Sequence, residues 1–205
     1  MSRMRALAAN MAAVITGKAA TAVVGLATVV ALTRHLGPTE YGYYRTVLTY
    51  SAFAAVLADS GLYMVTLRDM SQGGADAGRV LGNALSLRLV STASVLLAAA
   101  AFAWLTPYDP PVKWGTLIGA AIYTCLQASD FIIAAFQSVL RQARNAVAEV
   151  TGAVVTLAGV SVLALTHVGA LPMLGASLLG AAVALAISIR LVRRLVPFRM
   201  SFDLP

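Results

Sequence analysis

Residues 32–50 read LTRHLGPTEYGYYRTVLTY. Gly37 and Pro38 are helix breakers, Glu40 and Arg45 are charged, and Tyr41, Tyr43, Tyr44 and Tyr50 crowd the remainder. Glycine turns freely, and proline lacks the backbone donor that an interior helical turn needs. On either side lies an apolar stretch, over about 10–33 and 44–67. About 20 such residues carry a helix across a hydrocarbon core of about 30 Å. The stretch therefore predicts a tight hairpin between two membrane-spanning helices. Gly37 and Gly42 turn the chain, and Tyr41 and Tyr44 sit among the rings at headgroup level.

The rest of the chain follows the same rule. Of its 205 residues, 60% are hydrophobic and 11% charged, with a mean hydropathy of +0.82, far from the mix of a soluble domain. Four further apolar runs cover about 84–105, 114–137, 147–167 and 171–192. The last two share an uncharged stretch from Val150 to Ile189, about 60 Å as one helix and too long for one crossing, so Gly169 and Pro172 mark a turn. The expectation is an all-α integral membrane protein with a six-helix transmembrane bundle over 1–192 and a basic tail over 193–205. The basic start and apolar run at the N-terminus raise a cleaved signal peptide, but that run continues to about Thr33 and reads better as an uncleaved first span.

The net charge of +7 reads as topology. With the N-terminus inside, eleven of the 15 basic residues fall on the cytoplasmic side and only Arg34, Arg45 and Lys113 outside, so both termini are expected in the cytoplasm. No basic run is interleaved with exposed aromatics, which argues against nucleic acid. Trp104, Tyr108 and Trp114 join the tyrosines at the outer interface. The single cysteine, Cys125, lies in an apolar run, which excludes an intramolecular disulfide and a Cys-rich metal site.

Charges inside the bilayer cost about 2.5 to 3.5 kcal/mol even on lenient scales and mark functional sites or structural pairs. Lys18 falls near the middle of helix one, on a stripe with Asn10, Gly17, Thr21, Gly25 and Thr28. Asp59 shares a face of helix two with Tyr63, and Asp130 shares one of helix four with Tyr123 and Gln127. These residues are expected either to line a polar cavity, with Lys18 attracting an anionic headgroup, or to form a structural Lys–Asp pair. Arg88 and Glu149 lie near helix ends, where snorkelling or a loop pairing accounts for them. Runs such as GASLLGAAVALA (175–186) suit close helix packing. There is no H-E-x-x-H, Walker A or G-x-S-x-G signature, so neither an enzyme nor a cofactor is expected.

Three stretches, 33–50, 57–72 (LADSGLYMVTLRDMSQ) and 136–150 (FQSVLRQARNAVAEV), resemble the N-terminal half of the polysaccharide biosynthesis flippases, the Wzx-type oligosaccharide transporters of the multidrug/oligosaccharidyl-lipid/polysaccharide superfamily. Leu36, Gly37, Tyr41, Gly42 and Tyr44 match its element between helices one and two. Ala58, Asp59, Gly61, Leu62 and Arg68 match the end of helix two. The resemblance implies one lobe of a two-lobe flippase in the bacterial cytoplasmic membrane, with the basic tail over 193–205 as the alternative interlobe linker. It would move an undecaprenyl-pyrophosphate-linked glycan, with membrane lipids and a second lobe as partners. That lobe lies on the same chain if this is a truncated half, or on another chain if it is half-size. A cation-coupled multidrug antiporter of the same superfamily and a non-transporting membrane scaffold stay open. A cation-expelling cavity would be net acidic.

Overall fold

The computed structural model describes residues 2–58, 77–138, 143–166 and 168–193. Every regular element among them is helical: α1 (Ser2–Ala58), α2 (Ala77–Ala103), α3 (Pro110–Ser138), α4 (Ala143–Ala164) and α5 (Ala170–Arg193). Five elements stand where six helices were expected, because the first two are one helix broken at a single residue. Gly37 has φ 68° and ψ −179°, a combination that only glycine adopts without strain. Pro38 then supplies a preset φ and no orphan donor, the usual first residue of a helix. The chain folds back here. Lys18 and Leu48 line one cavity, although 30 residues of straight helix would part them by about 45 Å. The two arms of α1, residues 2–36 and 38–58, therefore run side by side.

The hairpin is tighter than the sequence suggested. Gly42, expected to help turn the chain, is an ordinary helical residue of the second arm, and Gly37 is the glycine with positive φ among the described residues. Pro38 sets helical geometry at once, so nothing beyond it has to turn. α2 to α5 each begin before their apolar runs, since a helical hydrogen-bond ladder has no reason to stop at the membrane surface, while α2 and α4 end at Ala103 and Ala164, two and three residues short of the expected ends. Asp59, Tyr63 and the tail over 194–205 lie outside the described residues, as does the side chain of Asn10.

Among the described residues, four stretches are long and apolar enough to cross a membrane: Met11–Ala58, Leu85–Ala103, Ala146–Ala164 and Ala170–Val192. The bundle has the polarity of a protein solvated by lipid. Val23, Phe53, Val56 and Leu165 are exposed, while the hydroxyls of Ser51, Thr92 and Thr116 are buried. Arg88, expected to snorkel, is also buried, at 4% exposure, on the α2 turn that carries Leu85 into a core with Phe131, Ile132 and Val192.

Small residues set the spacing of the helices. On α4 and α5, Gly152 meets Ala184 and the carbonyl of Gly180, small side chains at i, i+4 spacing that let two backbones close up. A Cβ on Gly17 would come within 2.5 Å of the Ala146 Cβ, which shows how closely the first arm of α1 approaches α4. At the other end, the kink of α1, the α2–α3 turn and the α4–α5 turn gather over a core of Leu32, Leu36, Tyr44, Val47, Met173 and Leu174. The expected aromatics cluster there. Trp104 and Trp114 meet edge-on at 5.0 Å, Tyr50 and Tyr108 at 6.3 Å, and Tyr41 stacks on Tyr44 at 6.4 Å. Tyr44 departs from the interfacial expectation: its ring is buried, with its hydroxyl 2.9 Å from Ser177 Oγ.

Candidate functional site

Four helical stripes converge below the kink. Lys18 and Thr21 stand one turn apart on the first arm of α1. Tyr123, Leu126 and Asp130 recur at i, i+3 and i+7 on α3. Glu149, Ala153 and Thr156 recur at i, i+4 and i+7 on α4, as do Ser177, Ala181 and Ala184 on α5. Together with Leu48 of the second α1 arm they line a cavity of about 420 Å³. Gly152 and Ala153 of α4 and Gly180, Ala181 and Ala184 of α5 build one side of it.

Lys18 Nζ donates to Glu149 Oε2 at 2.7 Å, with 64% of the lysine side chain and 24% of the glutamate's exposed. The close approach of Gly17 to Ala146 brings the two together, since Glu149 lies one turn beyond Ala146 on the same face of α4. Lys18 thus stands level with the second turn of α4, and its partner is a glutamate rather than an aspartate. Ser177 Oγ donates to the Met173 carbonyl and meets the Tyr44 hydroxyl. Thr156 Oγ1 bonds back to the Gly152 carbonyl. By contrast, the Thr21 and Ser129 hydroxyl oxygens are shielded and make no hydrogen bond. No group of three or more His, Cys, Asp or Glu among the described residues is placed to hold a metal ion.

Of the residues marked in the sequence, the fold brings Lys18, Thr21 and Asp130 to this cavity. Gln127 turns away, its Nε2 donating to the Ala55 carbonyl at 3.0 Å and so fastening α3 to the second arm of α1. Glu149 was set aside in the sequence as a helix-end charge, and its i, i+4, i+7 spacing with Ala153 and Thr156 was the signal that could have found it. With Glu149, the described lining residues include one cation and two carboxylates. A second groove of about 330 Å³ runs along the second α1 arm from Arg45 past Thr49, Ala52 and Phe53 to Val56, and shares Leu48 and Tyr123 with the cavity.

At the kink end, Glu40 Oε2 accepts the backbone N–H of Ala170, the first residue of α5, at 2.7 Å. A carboxylate there satisfies an orphan donor and meets the positive end of the helix dipole. Tyr43 donates to Asp109 Oδ2 at 3.0 Å, and Asp109 itself opens α3, its carbonyl accepting from Val112 and Lys113. The stretch read first in the sequence thus ties three helices together.

A family model described as polysaccharide biosynthesis protein matches residues 7–204. The chain belongs to that family. The match takes in both arms of α1, all four later helices and every residue of the cavity. Gly37 makes the break in α1, and Leu36 and Tyr44 root its two arms in the core. Comparison with curated proteins and with solved structures returns no match. The polysaccharide biosynthesis family and the long apolar helices together make this a membrane protein.

Proposed function

We propose that this member of the polysaccharide biosynthesis family is a flippase that carries a lipid-linked oligosaccharide across the bacterial cytoplasmic membrane for export. The carrying observation is a lysine open to a cavity between apolar helices, in a chain of this family. In this reading the polyprenyl tail stays in lipid while the undecaprenyl-pyrophosphate-linked head passes through the cavity, where a cation offsets the diphosphate in low-dielectric surroundings. The two arms of α1 count as the first two of six crossings, and the bundle works as one lobe against a second. Both termini face the cytoplasm, which puts the Glu40 and Tyr43 ties at the outer surface.

One observation favours a second reading. Among the described lining residues Glu149 and Asp130 outnumber Lys18, as a cation-expelling antiporter would have it. The sidedness of lipid-linked glycan in cells lacking the gene separates the two. Accumulation in the cytoplasmic leaflet, relieved by the wild-type gene and not by Lys18→Ala, is the expected result. Normal sidedness, with cation-drug efflux lost in Asp130→Asn, would replace the flippase by the antiporter.

A further inference from the structure

Lys18 meets the cavity already engaged. Its ammonium has three donors and gives one to Glu149 at 2.7 Å, while most of the side chain stays open. The pair is not all that joins the first arm of α1 to α4. Gly17 approaches Ala146 closely there, an apolar contact beside the ion pair and independent of charge. Nor is the pair sealed from the cavity, since both partners line it. Among the described lining residues, an anion entering this space meets two carboxylates, Glu149 and Asp130, and one cation, Lys18. It gains full use of Lys18 only by taking Glu149's place.

We infer that Glu149 is an exchangeable internal counterion for Lys18, displaced by the phosphate or diphosphate head of an anionic ligand and returning when that ligand leaves. The inference rests on the reading of Lys18 as the headgroup residue and adds to it how the ligand is released. A transport site has to bind strongly enough to load and weakly enough to unload. A bare lysine in a low-dielectric cavity would hold a diphosphate too firmly, and a competing carboxylate at contact distance lowers that affinity without removing the cation. Exposed ion pairs are individually weak, so the competition is worth about a fivefold change in affinity.

The test is binding of geranylgeranyl diphosphate to the purified chain in phosphatidylcholine nanodiscs, with geranylgeraniol as the uncharged control and inorganic pyrophosphate to separate headgroup from tail. Glu149→Gln is expected to bind the diphosphate about fivefold tighter than wild type. Glu149→Asp, which keeps the carboxylate, should stay close to wild type, and Lys18→Ala should lose about tenfold. Tighter binding is a gain that a damaged fold does not produce. If Lys18→Ala loses affinity while Glu149→Gln is unchanged or weaker, or if Glu149→Asp tightens as much as Glu149→Gln, the counterion exchange is wrong and the headgroup site stands. If Lys18→Ala binds like wild type, the headgroup site fails and the exchange with it. Pyrophosphate competing as well as the lipid diphosphate would assign the site to free phosphates and overturn the lipid reading.

Discussion

Glu40 and Lys18 are both charges in an apolar chain, and each is explained by a partner far away in sequence. Glu40 meets the α5 backbone 130 residues on, and Lys18 meets Glu149 131 residues on. Glu40→Ala leaves the first donor of α5 unsatisfied and removes a charge from its dipole, so stability should fall by about 1 kcal/mol. Glu40→Gln should lose less, because the amide oxygen still accepts. Thermal unfolding of the purified protein reads both, and an unchanged Glu40→Ala would show that the cap contributes nothing. That these residues matter was visible from their chemistry. Which backbone or carboxylate they meet was not, because both contacts form only when α1 folds back against α4 and α5.

Among the helices, α1 is the element on which the fold turns. Gly37→Ala forces a side chain into backbone geometry reserved for glycine and should cost about 1 to 3 kcal/mol. Gly42→Ala, five residues on, is helical and meets nothing within 4 Å, so it should gain about 0.5 to 1 kcal/mol. Opposite signs in the same unfolding assay are the expected outcome, and equal effects would mean that the hairpin turns over both glycines. A second contrast concerns helix spacing. Gly17→Leu drives a side chain into Ala146 and should destabilise by about 1 to 3 kcal/mol, while Gly25→Leu faces open space and should be nearly neutral. The Gly-Pro break was legible because its chemistry is local. The difference between Gly17 and Gly25, which share one stripe in the sequence, depends on where α4 lies.

For the whole molecule the testable quantity is orientation. In a background without Cys125, cysteine at Arg34 should label with an impermeant maleimide in intact cells. Cysteine at Arg190, near the far end of α5, should label only after permeabilisation, and the reverse pattern would invert the proposed topology. The sequence by itself determined that the chain is helical, that it lives in lipid, that it reverses within the stretch from Gly37 to Gly42 and that its aromatics gather near that reversal. Each of these follows from hydropathy, spacing and the backbone limits of glycine and proline, all of which act within a few turns. Its motifs also carried the family. Only the tertiary structure decided that Glu149 rather than an aspartate meets Lys18, that Gln127 ties α3 to α1 instead of facing the cavity, and that Arg88 and Tyr44 are buried. The reason is that a polar stripe says which residues avoid lipid, whereas helix rotation and the close approach of small residues decide which of them meet.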